Sequence, residues 1–214
     1  MIRVGFAGTL SYYNPSDNSP KSLFQRFLGT YRHHFNLSYT RSPYYLFQAI
    51  SELNNEIKDL DKQLQFNFWG NIDKKNKALL SSLKINHLVT IEGNFSKQES
   101  IQKLKECDVL FLPLESGNNE HKTLFIPGKV FEYIQLKKPI LALGEDSDCV
   151  EILKNTGLAL IANNKDVKDI KQKLSELITK DLKTITNEIN EKYISSLAFK
   201  NRAEEFAQIF DDLI

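Results

Sequence analysis

Residues 126 to 143 read Ile-Pro-Gly-Lys-Val-Phe-Glu-Tyr-Ile-Gln-Leu-Lys-Lys-Pro-Ile-Leu-Ala-Leu. The stretch predicts a helix that begins at Pro127, because a proline loses no hydrogen bond in the first helical turn. Pro139 ends the helical pattern, since proline is not tolerated in a helix interior. The apolar residues 140 to 143 then indicate a short buried strand. A helix that leads directly into a buried strand is typical of an α/β fold.

The predicted helix has a polar face. Lys129 and Glu132 are three residues apart and share one face, whereas Val130, Phe131 and Ile134 form an apolar face. Free N–H groups at the start of a helix, together with a lysine and a carboxylate, suit a ligand that has both phosphate and hydroxyl groups. The alternative is a solvated ion pair between these two side chains.

The same stretch resembles the donor-binding signature of GT-B glycosyltransferases of the family 4 type. The matching segments are Pro127-Gly128-Lys129-Val130-Phe131-Glu132-Tyr133 and Lys138-Pro139-Ile140-Leu141-Ala142. In that family the segment binds a sugar nucleotide, and the glutamate that matches Glu132 holds the ribose hydroxyls. The resemblance therefore implies that Pro127, Gly128, Lys129 and Glu132 contact a UDP-sugar or GDP-sugar donor.

Short apolar runs alternate with helical patterns along the rest of the chain. Strands are predicted at 2–8, 64–69, 87–92, 108–112, 140–143 and 157–162. Besides the helix after Pro127, helices are predicted at 42–59, 73–83, from Ser96, at 149–155 and at 166–178. About six strands separated by helices predict an α/β, Rossmann-like three-layer sandwich, in which a parallel sheet carries helices on both faces. The resemblance makes this sandwich one half of a GT-B fold.

Further candidate residues follow the ends of predicted strands, where ligands bind in parallel sheets. Gly8 and Thr9 follow the first strand, and Gly93, Asn94 and Phe95 follow the third. The resemblance implies that the first turn lets the backbone approach the donor and that the turn at 93–95 meets the nucleobase. The first turn lacks the G-x-G-x-x-G pattern of a dinucleotide site, so no nicotinamide cofactor is expected.

Two of these residues have alternative interpretations. Phe95 either stacks on the base or acts as a hydrophobic staple for the helix that begins at Ser96. We favour the staple for its side chain and a base contact for its backbone. The resemblance implies that the N-terminus of the helix at 42–59 faces the diphosphate, which makes Arg41, just before that helix, the candidate phosphate clamp. Lys21 competes for that role, and a solvated side chain is the alternative for both cations.

Residues 11 to 41 are predicted to be an insertion into the strand–helix pattern. A loop at 14–20 is followed by a predicted helix from Pro20 and then by an aromatic-rich run. The segment is either a lid or acceptor-facing surface, or an insertion that only packs. The adjacent His33 and His34 have no acidic or cysteine cluster nearby, so no metal site is expected.

The sequence departs from the family pattern at one position. Many members carry two glutamates eight residues apart, but counting back from Glu132 reaches Leu124. The carboxylate that contacts the donor sugar in the family is therefore absent at that position. Glu115 and Glu120 lie in the same loop, but their spacing does not support either as a substitute. The resemblance thus implies nucleotide binding and assigns no catalytic residue.

The composition is that of an ordinary globular chain. Its 214 residues are 41% hydrophobic and 26% charged, and the net charge of +1 argues against a dedicated nucleic-acid binder. Cys107 and Cys149 are expected to be reduced, buried thiols. No apolar run approaches the ~18 residues of a membrane span, and no signal peptide precedes Ile2. We expect a cytoplasmic protein, with peripheral contact of the full enzyme to the inner face of the membrane left open.

The resemblance covers nearly the whole chain but only the C-terminal half of a GT-B enzyme. We therefore expect one nucleotide-sugar-binding domain over residues 1–214, with C-terminal helices over 183–214, the last of which covers an exposed flank of the sheet. The expected role is donor binding without a cofactor, for a retaining bacterial glycosyltransferase of polysaccharide biosynthesis that acts on a glycan or lipid-linked acceptor. Such a half is expected to be inactive without an N-terminal acceptor domain. The alternative is a non-catalytic Rossmann-like nucleotide-binding or scaffold module.

Overall fold

The computed structural model describes residues 1–13, 15, 41–114, 125–185 and 189–212, and a six-stranded sheet lies at its centre. The strands are β1 Ile2–Ala7, β2 Leu64–Trp69, β3 Val89–Glu92, β4 Val109–Pro113, β5 Ile140–Leu143 and β6 Ala159–Ala162. All neighbouring strands pair in parallel, in the order β3-β2-β1-β4-β5-β6. The parallel sheet predicted from the sequence is confirmed.

Helices connect the strands and extend beyond the last one. Within the described ranges they are α1 Tyr44–Glu56, α2 Lys74–Ser82, α3 Lys97–Lys105, α4 Gly128–Gln135, α5 Asp148–Thr156, α6 Val167–Thr179, α7 Leu182–Ile185, α8 Glu191–Ser196 and α9 Phe199–Asp211. A short 3-10 helix at Leu60–Lys62 leads into β2. The helix that the sequence predicts from 42 to 59 is therefore shorter at both ends, because Pro43 is its N-cap and Ile57 is extended.

The sheet separates two apolar cores, since successive strand residues point to opposite faces. In β4, Val109 and Phe111 belong to one core, whereas Leu110 and Leu112 belong to the other. Helices α1, α2 and α6 cover the first core, and α3, α4 and α5 cover the second. The predicted three-layer sandwich is confirmed.

Aromatic contacts fill the first core beneath the centre of the sheet. Phe6 lies edge-on to Phe68 and Phe111, with ring centroids 6.2 and 5.8 Å apart. Phe68 also contacts Phe47 of α1 at 5.9 Å. Aromatic pairs at these separations stabilise the core beyond the area that they bury. They fix the end of β1 relative to β4 and α1.

The strand order reverses direction between β1 and β4, which places the topological switch point there. Ligands of parallel sheets bind beyond the carboxyl ends of the strands at such a point. β1 and β2 end in register at Ala7 and Trp69, so the glycines that follow lie side by side. Gly70 has a φ of 122°, and a Cβ there would overlap the carbonyl group of Gly8. Only glycine at position 70 permits this close approach of the two chains.

The C-terminal region differs from the prediction of helix throughout 183–214. Its described residues form the separate helices α7, α8 and α9. The side chain of Asn190 caps α8 by accepting a hydrogen bond from the Tyr193 N–H at 3.0 Å, and Ala198 is extended between α8 and α9. No described residue of α9 is buried, and Phe199, Phe206 and Phe210 are 92%, 66% and 60% exposed. The prediction that the last helix covers a flank of the sheet is therefore wrong.

Several predictions concern residues outside the described ranges. They are the helix from Pro20, Lys21, the pair His33 and His34, and the loop that contains Glu115, Glu120 and Leu124. Most of the proposed insertion at 11–41 also lies outside them. These predictions stay untested.

Both cysteines are free and buried, which confirms the expectation of thiols without a disulfide. Burial raises the pKa of Cys107 to about 11 and that of Cys149 to about 12. Both thiols therefore stay protonated at neutral pH, because a buried thiolate would be poorly solvated. None of the helices in the described ranges has the length and apolar character that crossing a membrane requires.

Candidate functional site

A cleft lies at the carboxyl edge of the sheet, at the switch point between β1 and β4. One part, of about 420 Å³, is lined by Phe6 of β1, by Leu112 and Pro113 of β4 and by the first turn of α4. An adjoining part, of about 270 Å³, extends toward the end of β2 and the start of α3. Thr9, Lys129 and Glu132 line both parts, so the two form one continuous cleft.

All ten binding residues predicted from the sequence fall in the described ranges, and nine of them line this cleft. The nine are Gly8, Thr9, Arg41, Asn94, Phe95, Pro127, Gly128, Lys129 and Glu132. Gly93 is not among the lining residues, and its carbonyl accepts a hydrogen bond from the Gly70 N–H at 3.0 Å. Gly93 therefore connects the turns that follow β2 and β3.

Helix α4 directs its N-terminus into the first part of the cleft. Pro127 is the N-cap, with φ −65° and ψ 139°, and the helix begins at Gly128. The prediction that Pro127 occupies the first helical position is wrong by one residue, because its ψ is extended. A proline N-cap has no side-chain acceptor, and no side chain in the described ranges caps this helix. Its first N–H groups and the positive end of its dipole therefore face the cleft.

Lys129 lies against the end of β1. Its ammonium group is 5.9 Å from the centroid of the Phe6 ring, which places the cation over an aromatic face. A Cβ at Gly8 would lie 2.8 Å from both Cε and Nζ of Lys129. Glycine at position 8 thus provides the space that the lysine side chain occupies. Arg41 contributes a second positive charge to the same part of the cleft.

Glu132 forms an ion pair with a residue that the sequence analysis did not select. Its Oε1 is 2.8 Å from Nζ of Lys97, and the two side chains are 41% and 76% exposed. Lys97 is the first residue of α3 and lines the second part of the cleft. Glu132 does not pair with Lys129, so the predicted alternative of an ion pair within the helix is wrong. Its carboxylate faces the cleft, where a ligand has access to it.

An aromatic wall closes the second part of the cleft. Trp69 Nε1 donates a hydrogen bond to Glu92 Oε2 at 3.0 Å, and Lys103 Nζ lies 3.3 Å from the same oxygen. The Lys103 ammonium lies 5.4 Å from the Trp69 ring centroid and 4.4 Å from that of Phe95. Ser100 occupies the position where a hydrophobic staple needs an apolar partner, so the staple interpretation of Phe95 is wrong. Phe95 instead packs on the second core and lines the cleft.

Other residues of the 126–143 stretch hold α4 in place. Tyr133 is fully buried, and its hydroxyl accepts a hydrogen bond from the Ala7 N–H at 3.4 Å. Burial raises the pKa of Tyr133 far above its ordinary value, so the phenol stays protonated. The Lys138 ammonium donates a hydrogen bond to the Cys107 carbonyl. These two contacts connect the helix to β1 and to the start of β4, so they position Lys129 and Glu132.

The lining residues that the sequence analysis did not select include Trp69, Asn71 and Lys97. Trp69 and Asn71 flank Gly70 at the end of a predicted strand, so the rule that ligands bind beyond strand ends could have selected them. Lys97 follows the N-cap of a helix whose start was predicted correctly. No pattern in the sequence indicates that its side chain reaches Glu132, which lies 35 residues further along the chain.

A family model and several solved structures are similar to this chain. A family model described as glycosyl transferases group 1 matches residues 33–180, more than half of the chain. A search of curated proteins finds no significant match.

Many solved structures share the fold. A glycosyltransferase from Rickettsia africae is 18% identical, with a TM-score of 0.57 over 79% of this chain and 44% of that one. HepE from Anabaena, in complex with UDP and glucose, is 14% identical, with a TM-score of 0.59 over 99% of this chain and 48% of that one. A UDP-forming α,α-trehalose-phosphate synthase from Burkholderia xenovorans, in complex with glucose 6-phosphate, is 10% identical, with a TM-score of 0.63 over 98% and 44%.

At these identities the likeness shows the fold, which is that of one Rossmann-like domain of GT-B glycosyltransferases. The chain spans less than half of the length of each of these three structures.

Proposed function

The chain belongs to the glycosyl transferases group 1 family, and we propose that its cleft binds the nucleotide of a UDP-sugar or GDP-sugar donor. The observation that carries this proposal is the convergence of the α4 N-terminus, the cations Lys129 and Arg41 and the accessible carboxylate of Glu132 on a single cleft. A nucleoside diphosphate has the complementary groups, which are two phosphates, a vicinal diol and an aromatic base.

The phosphates are assigned to the first part of the cleft. The open N-terminus of α4 provides N–H donors and a partial positive charge, which together form an anion site. Lys129 and Arg41 line the same space and add two full positive charges. We assign the main contact to Lys129, because Gly8 and Phe6 hold its side chain against the floor of the cleft.

The ribose is assigned to Glu132. This side chain lines both parts of the cleft, so it lies between the phosphate end and the aromatic wall. A carboxylate accepts hydrogen bonds through both oxygens, which suits a pair of neighbouring hydroxyl groups. Among the described lining residues of the two parts, Glu132 is the only carboxylate.

The base is assigned to the second part of the cleft. The backbone of Asn94 and Phe95 and the carboxamides of Asn71 and Asn94 offer donors and acceptors there, and Phe95 and Trp69 offer aromatic surface. Lys103 already lies over the Phe95 ring at 4.4 Å. We therefore assign base recognition to the backbone of Asn94 and Phe95 and to the Asn94 carboxamide, with the Phe95 ring as part of the wall.

The comparisons favour UDP as the first ligand to test. The Anabaena structure contains UDP and glucose, and the Burkholderia enzyme is described as UDP-forming. We further propose that transfer is retaining, uses a glycan or lipid-linked acceptor, takes place in the cytoplasm of a bacterium and needs an acceptor-binding domain in addition to this cleft. The need for an acceptor-binding domain is supported by the length of the three similar structures, of which this chain spans less than half, since transfer needs groups oriented on both substrates.

The test uses Trp69, the single tryptophan of the chain, which lines the cleft. Titration with UDP, GDP and ADP is followed by tryptophan fluorescence for the wild-type chain, Glu132→Ala and the control Glu151→Ala. Glu151 is exposed on α5 and does not line the cleft. We expect UDP to change the fluorescence and Glu132→Ala to weaken its binding about 10- to 100-fold, because hydrogen bonds to a charged group are lost.

Equal UDP binding by the wild-type chain and Glu132→Ala contradicts the assignment of the ribose. If no nucleotide changes the fluorescence or raises the melting temperature, the alternative of a non-catalytic scaffold module is favoured.

A further inference from the structure

The backbone of Lys97 is held in a fixed position at the edge of the cleft. The Ser96 hydroxyl accepts a hydrogen bond from the Glu99 N–H at 3.2 Å, and the Ser96 N–H donates to Glu99 Oε2 at 2.8 Å. This reciprocal pair is a capping box, which fixes the start of α3. From that position the lysine side chain extends across the cleft to Glu132 of α4.

Helix stability does not explain a lysine at this position. A cation in the first turn is unfavourable, because it meets the positive end of the helix dipole. The side chain is 76% exposed, so it also contributes little to packing. Its described ion pair is the one with Glu132, at 2.8 Å. That contact connects the start of α3 to the residue that we assign to the ribose.

The ammonium group and a ribose compete for Glu132. Lys97 Nζ occupies Oε1, one of the two oxygens that a vicinal diol would use. A ligand that places both hydroxyls on this carboxylate must displace the ammonium. The displaced ammonium then needs another anionic partner, and the phosphates of a nucleotide supply one. A nucleoside has no phosphate. When it binds, nothing offsets the free energy that is lost when the Lys97–Glu132 ion pair breaks.

We propose that Lys97 makes the cleft select nucleotides over nucleosides, by occupying Glu132 until a phosphate-bearing ligand displaces it and gives it a new partner. The proposal rests on the function proposed above. It assigns specificity to a residue of α3, whereas Lys129 belongs to α4.

The test compares the affinities of uridine and UDP, measured by Trp69 fluorescence and checked by calorimetry. The variants are Lys97→Ala, the conservative Lys97→Arg and the control Lys105→Ala, which removes the same charge from the last residue of the same helix. Exposed ion pairs contribute at most about 1 kcal/mol, which corresponds to about fivefold in affinity. We expect Lys97→Ala to bind uridine about two- to fivefold more tightly and UDP no more tightly than the wild-type chain. Lys97→Arg and Lys105→Ala are expected to keep the wild-type ratio of the two affinities.

Salt provides a second signature. Uridine has no charge, so its affinity for the wild-type chain is expected to rise by about twofold between ~50 mM and ~500 mM NaCl, as the Lys97–Glu132 pair is screened. The affinity for UDP is expected to fall over the same range. In Lys97→Ala the affinity for uridine is expected to be independent of salt.

An unchanged or increased ratio of the uridine and UDP dissociation constants in Lys97→Ala overturns this inference while leaving the nucleotide site in place. An equal change of this ratio in Lys105→Ala also overturns the inference, because the effect would then depend on the net charge of the chain and not on the contact between Lys97 and Glu132. If neither ligand binds the wild-type chain or any variant, the proposed nucleotide site itself is wrong.

Discussion

Helices α4 and α9 have similar sequences in one respect and opposite environments in the structure. Both carry apolar residues at helical spacing with charged residues on the other side. In α4 the apolar residues Val130, Tyr133 and Ile134 are buried, whereas no described residue of α9 is buried. Phe206 of α9 keeps 66% of its surface exposed. An amphipathic pattern therefore predicts a helix, but it does not predict what covers the apolar face.

Chain connectivity explains the difference. α4 connects β4 to β5, two neighbouring parallel strands, so it has to cross one face of the sheet to reach the next strand. That crossing places its apolar face on the second core and its polar face at the switch point. α9 follows all the strands and packs against α8 only through a few contacts. No crossover forces it onto the sheet.

The largest expected effect comes from removing the aromatic side chain that anchors α4. Tyr133→Ala empties a fully buried site and removes the hydroxyl that accepts from the Ala7 N–H. We expect the free energy of unfolding to fall by about 3–5 kcal/mol, the usual cost of truncating a buried aromatic residue. Urea unfolding followed by circular dichroism measures the loss. A decrease below ~1 kcal/mol would show that α4 does not depend on the second core.

An intermediate effect is expected where α4 connects to the C-terminal helices. Lys137, which follows α4, donates to both carboxylate oxygens of Glu191 in α8, at 2.8 and 2.7 Å. Both side chains are about half exposed, so Glu191→Gln should lower the free energy of unfolding by less than about 1 kcal/mol. Urea unfolding at low salt and in ~1 M NaCl measures the change, which should shrink at high salt. A salt-independent loss would show that the contact acts through packing.

The smallest effect is expected in α9. Phe206→Ala makes the same kind of truncation as Tyr133→Ala, but at a side chain that is 66% exposed. The free energy of unfolding should change by no more than about 0.5 kcal/mol, because little apolar surface returns to water. The same urea experiment measures it and provides the matched control for Tyr133→Ala. A loss above ~1.5 kcal/mol would mean that another surface covers this face in solution.

Much of the fold could be predicted because each signal is local. The strands at 64–69 and 140–143 were predicted with the bounds that the structure gives them, since apolar runs end at glycine or follow proline. The capping box at Ser96 and Glu99 placed the start of α3 correctly. The prediction failed for the C-terminal region, where helical spacing continues through the sequence but Asn190 and Ala198 interrupt the helix.

Part of the candidate site could also be predicted from the sequence, and part of it could not. Residues that follow strand ends, such as Thr9 and Asn94, were found because parallel strands bring their carboxyl ends to one edge. Lys97 was missed because its importance depends on a contact with a residue in another helix. Two glycines also have roles that depend on neighbours distant in the chain. Gly8 leaves space for the Lys129 side chain, and Gly70 allows a close approach to Gly8.

The sequence by itself determined the order of strands and helices, the parallel sheet and the segments that supply the cleft. These features depend on spacing, capping and turn residues, all of which act within a few positions of the chain. Only the tertiary structure decided which side chains meet: Glu132 with Lys97, Lys129 with Gly8 and Phe6, and Tyr133 with Ala7. The tertiary structure also decided that the apolar face of α4 is buried against the second core, whereas none of the described residues of α9 is buried. Contacts of this kind depend on distances between elements, which only the packed sheet establishes.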